Sequence, residues 1–286
     1  MRVRFPPGMQ RQFVECTKNR SGLTWKEFRR RLKIGTHVAY RYEVCSLPLR
    51  VFKKAMQLSQ MSSRQARKFQ YRIERERQET IIDVRKDKMT SELVGICLGD
   101  GHLSPYIMMV FGDKSDDTTY LLDHVLPIIK KTIGMTPRLN TNRPSENFLV
   151  VYSKQAAEAL HRIGLPYGDK IANRARIPEW ILERRSFIIS CLRGLFDTDG
   201  CIYGFKRKPP LRGSKAIVSY EFGEGSLLAN NIYVALRRLG YSPRMMPHRN
   251  ECRLAVNKDI ARFMNDIKPA NAKHHRNFQR WYGPVV

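Results

Sequence analysis

The stretch Leu93-Val94-Gly95-Ile96-Cys97-Leu98-Gly99-Asp100-Gly101 returns, in degenerate form, as Leu192-Arg193-Gly194-Leu195-Phe196-Asp197-Thr198-Asp199-Gly200. Each copy is a short apolar helix pattern with glycine at its third position and Asp-Gly at its end. Gly95 and Gly194 lack a Cβ and so let two helix backbones come close. Gly101 and Gly200 are expected as left-handed residues that terminate each helix. Asp100 and Asp199 then stand at the carbonyl end, which the helix dipole makes negative and where a cation would be the stabilising choice. Packing the two helices side by side adds repulsion between the carboxylates unless a cation lies between them. The pattern asks for a divalent metal, although a pair of helix-terminal caps would read the same way.

The copies belong to a longer internal repeat. Met108–Asp113 is matched by Val218–Glu224, Gly134-Met135-Thr136-Pro137-Arg138-Leu139 by Gly240-Tyr241-Ser242-Pro243-Arg244-Met245, and Leu149–Lys154 by Leu254–Lys258. Helical periodicity fills the intervals, over 120–133 and 227–239, then 155–163 and 259–267. Each half therefore reads helix, two strands, helix, two strands, helix.

These residues resemble the LAGLIDADG motif of homing endonucleases, present here twice in one chain, and the resemblance covers about residues 89–286. It implies an α+β fold of two pseudo-symmetric αββαββα halves (about 89–182 and 183–286), each with an antiparallel saddle-shaped sheet, and with the motif helices at the interface. It also implies that the carbonyls of Gly99 and Thr198 join Asp100 and Asp199 as metal ligands. The family carries a basic residue late in each half. Lys170, in Leu165-Pro166-Tyr167-Gly168-Asp169-Lys170, and Lys273, in Lys268-Pro269-Ala270-Asn271-Ala272-Lys273, match that position. They would polarise water or stabilise developing phosphate charge, but in so lysine-rich a chain a chance match is a rival reading.

Magnesium suits such a site because it binds through one or two carboxylates together with substrate phosphate, where it activates water and stabilises the attacking and leaving oxygens. Manganese is expected to substitute, and calcium to bind without cleavage. Asp197 is read as a surface residue, because its counterpart in the first copy is Leu98. Cys252, His274 and His275 lack zinc-site spacing, and no glycine-rich phosphate loop is present. Inteins share the endonuclease fold; the Met1 start and the Gly283-Pro284-Val285-Val286 end, without splicing residues, read as a free-standing protein.

A net charge of +26, from 52 Lys and Arg against 26 Asp and Glu, points to a polyanionic partner; charge alone would equally suit a ribosomal-type RNA binder. The six cysteines form no C-x-x-C pair, and those within or beside the motif helices read as reduced core residues. No signal region and no bilayer-length apolar run is present, so a cytoplasmic, DNA-associated protein is expected.

Residues 1–88 carry 23 of the basic and 8 of the acidic side chains. Thr24 and Glu27 have capping-box spacing ahead of a first helix, a break at Lys33-Ile34-Gly35 follows, and Thr36 would cap a second, with an amphipathic helix after Leu47-Pro48. This resembles the Cro/repressor-like helix-turn-helix family, with Arg30 where that family has a small residue. The resemblance implies an all-α DNA-binding domain over 1–58, with Thr36, His37, Tyr40 and Arg41 facing DNA. A plain basic helical bundle is the alternative. Residues 59–88 read as a basic helix joining the two parts, or as an ordinary charged linker.

On the sheets, Lys114, Arg138, Asn140 and Arg143 in the first half and Arg244, Arg249 and Arg253 in the second are the candidate DNA contacts. Arg207 and Arg212 lie in a loop without a counterpart in the first half, where a charged surface loop reads the same. The expectation is a monomeric homing endonuclease that makes a metal-dependent double-strand cut in a long DNA target and leaves 3′ overhangs. A non-cleaving transcription regulator and an intron maturase, with intron RNA as partner, are the rival readings.

Overall fold

The computed structural model describes residues 1–34, 46–74, 81–206 and 214–282. The chain divides into two compact units, Met1–Thr80 and Ile81–Val286, each with its own apolar core.

In the first unit, helices Met9–Arg20, Trp25–Leu32 and Leu49–Leu58 bury Phe13, Phe28 and Phe52. Phe13 stacks on Phe52 at 4.8 Å between centroids and meets Phe69 edge-on at 5.4 Å. The capping box forms as expected. Thr24 Oγ1 accepts the Glu27 N–H at 3.3 Å, and the Glu27 carboxylate accepts the Thr24 N–H at 3.1 Å.

Two expectations for this unit fail. The unit is not all-α, because Arg2–Arg4 pairs antiparallel with both Leu47–Pro48 and Arg72–Glu74. Residues 59–88 are not a single helix either. Ser62 caps one short turn, Ser63–Ala66, and Gln70 enters the left-handed region at φ 51°, which stops it before Arg72–Glu74 joins the sheet. The expected second helix of the helix-turn-helix, with Thr36, His37, Tyr40 and Arg41, lies outside the described residues.

The second unit is α+β and twofold repeated. Its first half runs through helix Lys88–Leu98, strands Gly101–Ser104 and Ile107–Asp113, a helix from Thr118 to Ile133, strands Arg138–Asn140 and Glu146–Tyr152, and helix Lys154–Arg162. Its second half runs through Arg185–Asp199, Gly200–Lys206, Ser214–Glu221, Leu228–Arg238, Arg244–Met246, Glu251–Leu254 and Asn257–Ile267. A further helix, Ala272–Tyr282, follows. In both sheets the strand order is first-second-fourth-third, antiparallel throughout. Pro127 cannot donate a hydrogen bond and needs room against the preceding turn, and the helix widens into a π-turn over Leu121–Val125 just before it.

The two motif helices, Lys88–Leu98 and Arg185–Asp199, run against each other through their backbones. A Cβ added to Gly95 would lie 2.1 Å from the carbonyl oxygen of Cys191, and one on Gly194 would lie 2.3 Å from that of Glu92. The contact is reciprocal, and neither side chain position can be filled without moving main chain. The flanking residues Leu93, Ile96, Cys191, Leu192, Leu195 and Phe196 are buried and join the two sheets into one core.

Gly194→Ala is therefore expected to destabilise the protein by about 3 kcal/mol, at the upper end of overpacking costs. Urea unfolding measures it, and a loss below about 1 kcal/mol would mean that the helices can slide apart cheaply.

Candidate active site

Each motif helix delivers its acid to the same place. Asp100 follows the first helix and Asp199 ends the second. The glycines after them do not do what their position suggests. Gly200 is extended (φ −80°, ψ 153°), and neither Gly101 nor Gly200 has positive φ. Close approach is what excludes a side chain: a Cβ on Gly101 would lie 2.4 Å from Cys97 Cα, and one on Gly200 would lie 2.5 Å from the Phe196 carbonyl. Gly99 is pinched in the same way, since a Cβ there would meet Thr198 Oγ1 at 1.9 Å and Asp199 Oδ2 at 3.0 Å. The chain thus turns from each helix into its first strand with the carboxylate held at the seam.

Both acids are electrostatically uncomfortable there. Burial pushes the Asp199 carboxyl up to about 7, and the neighbouring Asp100 adds to the rise, while Lys170 and Lys273 oppose it. Asp100 is also raised, by burial above all, against the pull of Lys273 and Lys170. The helix ends add their own negative potential.

The two expected lysines converge on this pair. The loop carrying Lys170 is fixed by the Gly168 N–H, which donates to Leu103 O at 2.8 Å, and by the Ala175 N–H, which donates to Lys170 O at 2.8 Å. The Lys170 ammonium donates to the carbonyl of Gly99. Burial lowers its pKa, and Asp199 is the strongest group holding it up. Lys273 opens the last helix and pairs with Asp117 at 3.1 Å. The Thr198 hydroxyl turns back to its own helix, donating to Gly194 O at 2.9 Å and Leu195 O at 3.1 Å. An open cleft of about 360 Å³ beside the pair is lined by His102, Lys170, Asp199 and Phe222, among others.

Several residues around the seam had not been expected. Asp197, read from the sequence as exposed, is 1% exposed. Its two carboxylate oxygens accept the N–H groups of Ala270 and Asn271, each at 3.0 Å, and burial raises its pKa to about 6. The signal was present, because its counterpart Leu98 is a core residue and an acid in that slot needs buried donors. Glu92 crosses the interface to Arg193 Nη1 at 3.0 Å and, within its own half, meets His124 Nε2 at 2.6 Å. Arg193 also donates to the Ile267 carbonyl at 2.6 Å. Nothing in the repeat pattern marks this pair, since the residues equivalent to Glu92 and Arg193 are Cys191 and Val94.

The candidate DNA contacts are spread over the sheets. Arg138 is exposed and Asn140 half-buried on the outer face of the first sheet, opposite Val150 and Phe148. Arg143 lies 5.0 Å over the Phe111 ring and pairs with Glu146 at 2.7 Å. Lys114 is exposed in a turn. Arg244 stands directly opposite Arg253 in the second sheet, and Arg249 is exposed in a short turn. Arg207 and Arg212 lie outside the described residues. Among the described residues, no group of three or more His, Cys, Asp and Glu side chains is placed to hold a metal, and no helix is long and apolar enough to cross a membrane.

No family model matches the chain. Among curated proteins, it is 30% identical over 141 residues to the tRNA-splicing ligase RtcB of Pyrococcus abyssi, a match spanning 42% of this chain and 14% of that protein. The corresponding ligase of Methanopyrus kandleri is 26% identical over 170 residues, spanning 52% of this chain and 17% of that protein. The chain thus spans about one seventh of the length of the ligases it matches. Among solved structures, the LAGLIDADG meganuclease I-AabMI bound to uncleaved DNA aligns with a TM-score of 0.46 at 12% identity, covering 66% of this chain and 87% of that one. The homing endonuclease I-DmoI in complex with DNA and Mn aligns at 0.43 and 14%, covering 63% and 96%. Scores of this size leave the fold to rest on the strand order and helix packing described above.

The raised pKa of Asp199 has a consequence for stability. A carboxyl that ionises near 7 when folded and near 3.8 when unfolded holds its proton more tightly in the folded state. Its contribution therefore falls as pH rises through that window and is fully lost above it. Asp199→Asn should raise the Tm of the metal-free protein at pH 8 by several degrees, with the advantage shrinking towards pH 4. Scanning calorimetry across that range tests it, and a variant no more stable than wild type at pH 8 would remove the account of a desolvated charge.

Proposed function

We propose that this protein is a double-motif homing endonuclease of the LAGLIDADG class, which hydrolyses both strands of a long double-stranded DNA target. One observation carries the reading: two carboxylates are forced together at the dipole-negative ends of glycine-interlocked helices, where they weaken the fold unless a cation joins them. The excess of basic residues supports a polyanionic partner. Arg244 and Arg253, set opposite each other on one strand pair, support the sheet as its contact surface. Like charges placed so repel, and Glu251, two residues along the same strand, offsets part of that repulsion.

The donors present fit a hard divalent cation. Asp100 and Asp199 offer carboxylate oxygens, and Gly99 a carbonyl that already accepts from an ammonium group. Magnesium binding of this kind needs only one or two carboxylates plus substrate phosphate, which agrees with the absence of a larger acidic cluster among the described residues. When bound, the ion would supply Lewis-acid stabilisation of the scissile phosphate and a more acidic water. The chain's own contributions are distinct. Asp100 and Asp199 hold the centre, Lys170 and Lys273 place positive charge where phosphate charge develops, and the two sheets carry Arg138, Asn140, Arg244 and Arg253 towards the duplex. The two related halves suit two cuts, one per strand, and the family resemblance adds that they leave 3′ overhangs. The chain acts as a monomer, because both acids are on one polypeptide.

The test is cleavage of a randomised plasmid library in magnesium, with the cut sites read by sequencing. Discrete cuts are expected with wild type, falling by roughly a hundredfold or more in both Asp100→Asn and Asp199→Asn. Calcium should support binding without cutting. Specific binding with no cutting in magnesium or manganese would overturn the nuclease reading and favour a regulator.

A further inference from the structure

The two lysines at the acid pair are held by unlike means. Lys170 is held by a backbone carbonyl, that of Gly99. Lys273 is held by a carboxylate from the opposite half of the fold, and that carboxylate sits in a buried network. Asp117, in the loop after strand Ile107–Asp113, is nearly inaccessible. It accepts the Lys273 ammonium at 3.1 Å, the Asn271 side-chain amide at 2.6 Å and the Asp113 N–H at 3.1 Å. Asn271, 1% exposed, accepts the Lys273 N–H at 3.2 Å on its own side-chain oxygen. Its backbone N–H and that of Ala270 are gripped by the Asp197 carboxylate on the second motif helix, two residues before Asp199. His274 closes the arrangement by packing its ring 4.3 Å from that of Phe196 on the same helix.

The physical need for the clamp is plain. Lys273 lies in the first turn of helix Ala272–Tyr282, where the dipole repels a cation. Asp117 precedes a helical segment starting at Thr118, where the dipole favours an anion. The pair therefore forms where each partner's own helix makes the carboxylate stable and the ammonium dependent on it. No such arrangement exists for Lys170, because the residues equivalent to Asp117 and Asp197 in the other half are Leu228 and Leu98.

We propose that Asp117 is the positioning residue for Lys273, with Asn271 and Asp197 completing the clamp, so that cutting of one DNA strand depends on this clamp and cutting of the other does not. The proposal rests on the nuclease reading above.

It is tested on the full-length protein with a duplex bearing a selected cut site and a different fluorophore on each strand, followed under single turnover in magnesium. Asp117→Asn keeps the shape and removes the charge. One strand should slow roughly tenfold or more while the other stays within about twofold, so that nicked product accumulates. DNA affinity measured in calcium should be unchanged, and Asp117→Glu should restore part of the lost rate. Should Asp117→Asn fail to fold, Asn271→Ser, which withdraws the amide from Asp117 and leaves a hydroxyl to serve the Lys273 N–H, is expected to slow the same strand by a smaller factor. Equal slowing of both strands, or no slowing, in a folded variant would overturn the proposal and leave the nuclease reading intact. A wild type that cuts no site would overturn both.

Discussion

Main chain of each motif helix occupies the space where a side chain at the other's glycine would stand, and the rest of the second unit depends on that contact. With Gly95 against Cys191 and Gly194 against Glu92, the interhelical distance is set by backbone rather than by side chains, which can rotate away. Backbone contact of this kind fixes register along the helices as well as spacing. Because each helix feeds straight into the first strand of its sheet, the same contact fixes where the two sheets lie relative to one another. Gly99, wedged against Thr198 and Asp199, carries the constraint to the helix ends, so the acids come together as a result of packing and not of any attraction between them.

That placement costs stability, and the surroundings show how the fold tolerates it. The carboxylates are partly desolvated, face the negative ends of helices and repel each other; each effect raises their pKa values. Two ammonium groups and a cleft open to solvent offset part of this. A core built for stability alone would place leucine here. The retention of an electrostatically costly arrangement within an otherwise apolar seam is the physical argument for a site.

The repeat was legible in the sequence because it is written in patterns that local physics enforces. Helical spacing over 227–239, strand alternation in Met108–Asp113 and the Gly-x-x-Pro-Arg turns all survive as regular elements in the fold. That both acids and both lysines gather at one place was legible because the duplication marks them twice. Much of what could not be read is what the duplication leaves unmatched. Asp197 looked dispensable through its pairing with Leu98, yet burial of that position is what made its carboxylate a clamp for main-chain donors. The glycines after the acids suggest left-handed caps by position, whereas the reason for them is close approach to the last turn of their own helix, at Cys97 and Phe196. The strand Arg72–Glu74 was hidden in a charged run because it pairs at a small sheet's edge, with all three side chains exposed.

The unmatched residues also explain why one chain carries both halves. Buried Glu92 bridges the interface to half-buried Arg193 and is met in its own half by His124, an arrangement for which the repeat has no counterpart. Removing Glu92 would leave Arg193 and His124 without the carboxylate they share. A dimer of identical chains would have to build every such device twice. Fusing the halves lifts that requirement. Each half keeps its acid at the end of its motif helix. The supports around them are free to differ, with a carbonyl holding Lys170 and a buried carboxylate holding Lys273. Pseudo-symmetry therefore extends as far as the constraints that act on both halves equally, namely close helix packing and the acid pair it brings together, and stops where a single contact suffices.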